Sequence, residues 1–250
     1  QRRLALLEEV ATMYVGPRED RNDFIKKNYN RQQISWGTPN GKIYVYDVGS
    51  GRQTLITESR NPTFAPRWSP DGRWILYSMA VGGNTDIYRV PGAGGGQSRR
   101  LTPDPGIDVG GSFSPDGRQI VFESDRSGGQ QCYVMNADGS GQRRISFFGG
   151  RCATPEWSPR GDQIAFTNAG NFKIGVMSPT GGSVRTLTDG WQDEAPTWSP
   201  NGRIIQFFRT ERGSGRTGLW QVDLPGRNLP RLRTLETWLQ LTLDRLQRHA

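Results

Sequence analysis

Apolar residues in this chain come in short alternating runs. Ile75-Leu76-Tyr77, Ile120-Val121-Phe122, Ile164-Ala165-Phe166 and Ile204-Ile205-Gln206-Phe207 are four of them. Each has the length and alternation of a β-strand with one face toward a core. A turn precedes each run. Ser69-Pro70-Asp71-Gly72 has the residue order of a type I turn: Ser first, Pro second, Gly fourth. Ser114-Pro115-Asp116-Gly117, Ser158-Pro159-Arg160-Gly161 and Ser199-Pro200-Asn201-Gly202 repeat it, with the serines 45, 44 and 41 residues apart. An aromatic ends the strand before every turn. Trp68, Phe113, Trp157 and Trp198 therefore read as wedges between neighbouring sheets.

Further strands follow at the same period. Asp86 to Val90, Gln131 to Met135, Lys173 to Met177 and Gly218 to Val222 are third strands. Turn-rich segments such as Asp138-Gly139-Ser140-Gly141 and Thr180-Gly181-Gly182 come next; they supply the positive φ that tight hairpins need. Fourth strands are expected at Ser98 to Thr102, Arg143 to Ser146 and Val184 to Thr188. Four strands in forty-odd residues make one blade of a β-propeller. Upstream, Arg31 to Trp36, Lys42 to Tyr46 and Gly51 to Thr57 supply three strands of an earlier blade, giving five near-complete blades. The expected fold is all-β: a propeller of four-stranded blades, about five to six of them, with incomplete closure an open question. Residues 31–230 are assigned to it. Residues 1–30 are read as an irregular segment, a remnant of a first blade. Residues 231–250 are read as an amphipathic helix or an aberrant tail, with Leu235, Trp238, Leu239, Leu243 and Leu246 on one helical face.

The 250 residues suffice for one propeller-sized domain. No apolar stretch is long enough to form a transmembrane helix. Net charge is +8, carried by 28 Arg against four Lys. The arginines are scattered one or two per turn, which favours a solvated surface over a nucleic-acid stripe; no nucleic acid is expected as a partner. A preference for acidic protein surfaces is the weaker functional reading. Cys132 falls on a position filled by Ile87, Ile174 and Leu219 in other blades, so it reads as a small buried hydrophobe. A disulfide to Cys152 is not expected.

Catalytic constellations are missing from the pattern. The sole histidine is His249, and no Gly-x-Ser-x-Gly elbow or phosphate loop occurs. Asp71 and Asp116 are replaced by Arg160 and Asn201 in the other copies, so this place asks for turn compatibility and not for a carboxylate. Glu123-Ser124-Asp125-Arg126 and Asp193-Glu194 are the densest acidic spots and read as loop charges bonded to neighbouring turns. No catalytic, cofactor-binding or metal-binding residue is expected, and no cofactor.

Residues 113–129, from Phe113-Ser114-Pro115-Asp116-Gly117-Arg118 through Glu123-Ser124-Asp125-Arg126, resemble the propeller of the TolB family. So do Tyr133 to Gly141, Phe148 to Arg151 and Trp157 to Asp162; the likeness runs from about Arg31 to about Asn228. The resemblance implies a periplasmic, non-enzymatic protein of the Tol–Pal system. It would bind the Pal lipoprotein and link to other Tol proteins. Such proteins support outer-membrane integrity and cell division, and bacteriocins exploit them for import. Family members also carry an α/β domain before the propeller, which these 250 residues do not contain. A closing Trp-Ser-Pro strand would fall near residue 242, where the chain has Leu241-Thr242-Leu243-Asp244.

The expected function is a monomeric binding scaffold. Repeat phase places the segments before each wedge aromatic at the channel mouth. The candidate protein-binding residues are Thr63, Phe64, Asp108, Thr154, Asp193 and Glu194. Two alternatives carry different predictions. A propeller domain of a prolyl oligopeptidase-like serine peptidase requires a hydrolase domain elsewhere in the gene. A glycan-binding propeller requires exposed tryptophans, for which Trp191 is the candidate.

Overall fold

A computed structural model describes residues 33–37, 41–47 and 50–229. They form five antiparallel sheets, each a meander in chain order. The first holds β1 (Gln33–Gly37), β2 (Lys42–Asp47) and β3 (Gln53–Glu58). The second holds β4 (Thr63–Trp68), β5 (Trp74–Val81), β6 (Asn84–Pro91) and β7 (Arg99–Arg100). The third holds β8 (Asp108–Phe113), β9 (Gln119–Ser124), β10 (Gln131–Asn136) and β11 (Arg143–Arg144). The fourth holds β12 (Cys152–Trp157), β13 (Ile164–Asn168), β14 (Lys173–Met177) and β15 (Arg185–Thr186). The fifth holds β16 (Gln192–Trp198), β17 (Ile204–Thr210), β18 (Thr217–Asp223) and β19 (Asn228–Leu229). The leading strands β4, β8, β12 and β16 are successive neighbours, which puts them on the inside of the fan of sheets. The sheets are propeller blades, as the period predicts. Residues 1–30, residues 231–250 and the sequence around residue 242 lie outside the described residues.

The repeated turn works through its serine hydroxyl. In all four copies the Gly N–H donates to the Ser carbonyl, at 2.8 to 2.9 Å, and the Gly has φ between 64° and 77°. Ser69 Oγ donates to Asp71 Oδ1 at 2.6 Å and accepts the Trp74 N–H at 2.9 Å. Ser114 does the same with Asp116 and Gln119, and Ser199 with Asn201 and Ile204. Arg160 occupies the acceptor place in the third copy, and there Ser158 Oγ turns to Asp162 Oδ1 at 3.0 Å. The turn thus requires an oxygen acceptor for its serine. A charge is incidental. Hydrogen bonds from Ser114 and from the Arg118 N–H hold the Asp116 carboxyl below the usual carboxylate range.

The fourth strands are shorter than expected, two residues each in β7, β11 and β15. Side chains extend the pairing. The Leu101 N–H reaches the Ile87 carbonyl, and the Ile87 N–H then donates to Thr102 Oγ1 at 2.9 Å. Cys132 N–H to Ser146 Oγ and Ile174 N–H to Thr188 Oγ1 repeat the exchange at 2.9 and 3.0 Å. A hydroxyl replaces a backbone carbonyl, so the ladder ends while the buried amide stays satisfied.

The core lies between blades, in slabs. One slab joins Ile43, Val45 and Ile56 to Ile75, Tyr77 and Val90. The next sets Leu76, Ile87 and Leu101 against Phe113, Ile120 and Met135. A third packs Val121, Val134 and Ile145 on Trp157, Ile164 and Phe166. The last packs Ile174, Val176 and Leu187 on Trp198, Ile205 and Phe207. The wedge aromatics belong to these slabs as predicted.

Cys132 and Cys152 form a disulfide, with Cα atoms 5.4 Å apart, which corrects the expectation that they stay unbonded. Both are fully buried. Cys132 is on β10 and Cys152 opens β12 of the next blade, so the bond crosses the gap between sheets at a separation a disulfide spans without strain. Repeat comparison located Cys132 in the core but hid its partner. The equivalents of Cys152 are Thr63, Asp108 and Asp193, which give no hint of a thiol.

Candidate functional site

The two ends of the fan are built from different segments. One end gathers the blade-to-blade links and the connections between second and third strands. There Asn84 Nδ2 donates to the Asp104 carbonyl at 3.1 Å, and the Ile107 N–H donates to Asp125 Oδ1 at 2.7 Å. This is the mouth end, where the inner strands begin. The opposite, turn end gathers the Ser-Pro turns and the third-to-fourth connections.

A residue at the start of each inner strand is a pin, five residues before the wedge aromatic, with a different partner in each blade. Thr63 Oγ1 donates to the Lys42 carbonyl of the preceding blade at 3.2 Å. Asp108 Oδ2 pairs with Arg126 Nη2 at 2.8 Å, and the same guanidinium reaches Asp104 Oδ2 at 2.8 Å. Cys152 is bonded to Cys132. Asp193 takes a two-pronged ion pair from Arg209, at 2.6 and 2.8 Å. Burial pushes the Asp108 carboxyl up despite its hydrogen bonds from Ser124 and Arg126. The hydrogen bond to Asp193 holds the Arg209 guanidinium above its ordinary value. Thr63, Asp108 and Asp193 are thus inside the protein and brace the mouth from beneath.

Each inner strand then bulges two residues beyond its pin. Register breaks fall between Phe64 and Arg67, Val109 and Ser112, Ala153 and Glu156, and Glu194 and Thr197. Ala65, Gly110, Thr154 and Ala195 occupy the left-handed region there, with φ of 51°, 67°, 47° and 52°. Three of the four are not glycine, so the backbone is strained at one repeat position in successive blades. The freed N–H groups are caught by the blade before. Gly110 N–H donates to Ser78 Oγ at 3.4 Å, Thr154 N–H to Glu123 Oε2 at 3.1 Å, and Ala195 N–H to Thr167 Oγ1 at 3.1 Å. Ser78, Glu123 and Thr167 are one repeat position on β5, β9 and β13. Burial pushes the Glu123 carboxyl up, against its hydrogen bonds from Thr154 and Gln130.

Phe64, Thr154 and Glu194 are exposed along this bulged ring. Six candidates therefore split into three buried braces and three exposed side chains. Repeat phase could not separate them, because exposure changes between adjacent residues of a bulged strand. The structure adds apolar surface, of which the sequence had singled out Trp191 alone. Ile107, Phe147 and Trp191 stand exposed on the links into β8, β12 and β16, Phe147 at 69 %. Phe208, opposite Glu194 in register, is also exposed. Phe208 stands at the repeat position of Ser78, Glu123 and Thr167, so an apolar residue breaking a polar repeat position is its signal in the sequence. Trp191 lies beneath the Arg212 guanidinium, 4.8 Å from the ring centre. Among the described residues no group of three or more His, Cys, Asp or Glu side chains is placed to hold a metal ion.

Five successive antiparallel sheets on one repeat, with their leading strands side by side, define a β-propeller. The model of the TolB beta propeller domain matches residues 29–240, and the chain belongs to that family. The Tol-Pal system protein TolB of Gluconobacter oxydans is 44 % identical over 202 residues, 78 % of this chain and 45 % of that protein. The Tol-Pal system protein TolB 1 of Novosphingobium aromaticivorans is 75 % identical over 71 residues, 28 % of this chain and 16 % of that protein. The crystal structure of TolB from Acinetobacter baumannii superimposes with a TM-score of 0.70 at 29 % identity, covering 79 % of this chain and 50 % of that one. The chain spans less than half the length of the curated relatives it matches.

Proposed function

We propose that this propeller is a non-catalytic docking scaffold of the Tol–Pal system, working in the periplasm and binding the Pal lipoprotein at its mouth end. Contacts with other Tol proteins, support of outer-membrane integrity and cell division, and use by imported bacteriocins belong to the same reading. One observation carries it: exposed Phe64, Thr154 and Glu194 stand on strained inner strands that buried pins hold fixed. A rigid aromatic anchor with a polar rim suits protein docking, because little conformational freedom is lost on binding. The Tol-Pal names of the relatives and the membership of the TolB family support the partner. The Cys132–Cys152 disulfide is in keeping with an oxidising compartment such as the periplasm.

The combined variant Phe64→Ser, Thr154→Gly, Glu194→Lys tests the site. Calorimetric titration with purified Pal should show affinity reduced by about two orders of magnitude, as expected for loss of a central anchor and its rim. The thermal melt of the free protein should stay cooperative. Wild-type affinity in a folded variant would remove this face from the interface.

A further inference from the structure

The turn end carries positive charge in a regular array. One exposed arginine sits in each Ser-Pro turn: Arg73, Arg118, Arg160 and Arg203. A second sits farther out in each of the same blades, on or beside the fourth strand: Arg99, Arg143, Arg185 and Arg227. Hydrogen bonds locate the outer set. Arg143 Nη2 donates to the Pro179 carbonyl at 3.0 Å, and Arg185 donates to the Leu224 carbonyl, both in third-to-fourth connections of the following blade. Four of the eight are partly neutralised by neighbouring carboxylates. Arg73 pairs with Asp71, Arg118 with Asp116, Arg160 with Asp162 and Arg227 with Asp223. Arg99, Arg143, Arg185 and Arg203 have no such ion pair among the described residues, although the Asp138 carboxylate acts on Arg99 from farther away.

The two ends differ in apolar surface as well. Leu55 is exposed on the outer strand β3, but Phe64, Val81, Ile107, Phe147, Trp191 and Phe208 all lie toward the mouth. Among the described residues the turn end thus has charge without an exposed aromatic anchor. A protein interface draws its energy from a few buried anchors, and the described residues of this end supply none. Guanidinium groups repeated across one end of the molecule suit an extended plane of phosphates, each able to take two hydrogen bonds from an arginine.

We propose that the turn end rests on an anionic phospholipid bilayer, held electrostatically at headgroup level and leaving the mouth end free. The test is co-sedimentation of the protein with vesicles of phosphatidylcholine alone and of equal parts phosphatidylcholine and phosphatidylglycerol. Binding to the anionic vesicles only, falling steeply with added salt, is expected. Combining Arg99→Ser, Arg143→Ser, Arg185→Ser and Arg203→Ser should lower the partition coefficient by about fivefold per arginine, well over a hundredfold in all. The matched variant Arg60→Ser, Arg151→Ser, Arg212→Ser, Arg216→Ser changes the charge equally at the mouth end and should bind almost as wild type does. Both variants are checked by thermal melt. Equal losses in the two variants would reduce the effect to net charge and overturn the proposal, as would equal binding to neutral vesicles. Capture of poly-glutamate without capture of anionic vesicles would transfer the turn end to an acidic protein and equally overturn it.

Discussion

Glu123 holds a carboxyl group almost wholly withdrawn from water, and its acceptor oxygens catch the Thr154 N–H and the Gln130 amide. Burial raises its folded-state pKa above that of the unfolded chain. The folded state therefore keeps a proton where the unfolded state has lost it. Stability from this group is full below the ordinary glutamate range and declines as pH rises through the folded value. Glu123→Gln keeps an acceptor oxygen for Thr154 and removes the charge. The melting temperature of the variant should gain on wild type steadily from acid pH to neutrality, in melts across that range. Parallel curves would mean that Glu123 is not held above its ordinary value. In the sequence Glu123 stands out only as part of a dense acidic spot. Its bond to Thr154 was illegible, because it depends on a bulge, and a bulge leaves alternation on either side intact. The turn residues were legible, because four copies could be laid side by side. Arg160 even told that a charge was dispensable, although not that Asp162 would supply the missing oxygen.

Blades are where the sequence spoke most clearly. Alternation, turn residues and a period in the forties place second and third strands nearly as observed. The fourth strands came out too long, since Thr102, Ser146 and Thr188 look like strand residues yet pair through their hydroxyls. This exchange has a cost if broken. Thr102 is fully buried, so Thr102→Val would leave the Ile87 N–H without an acceptor in a dry place. The expected loss is about 1–3 kcal/mol. Urea denaturation should show a lower midpoint with an unchanged slope. A midpoint like that of wild type would mean that water or a neighbouring group takes over the amide.

At the scale of the whole molecule, one interface between blades among the described residues is joined covalently, and the others are held by packing and by hydrogen bonds such as those of Thr63, Gly110 and Ala195 to the blade before. The Cys132–Cys152 bond closes a separation of 20 residues, for which chain entropy predicts about 3 kcal/mol. Cys132→Ala with Cys152→Ala should lower denaturant stability by roughly that amount. Reductant should shift wild type toward the variant and leave the variant unmoved. The five blades of the described residues were readable because repetition is a property of the chain. The partner of each pin was not, because the start of each inner strand meets the same geometric demand differently: across the blade boundary for Thr63 with the Lys42 carbonyl and for Cys152 with Cys132, within one blade for Asp108 with Arg126 and for Asp193 with Arg209. The slab cores carry a consequence for synthesis. Each slab among the described residues is shared between consecutive sheets, so none of the first four described blades can bury the face it turns to the next until that successor has left the ribosome. Throughout its translation the nascent propeller always presents one unfinished hydrophobic wall, which only the following forty residues can cover.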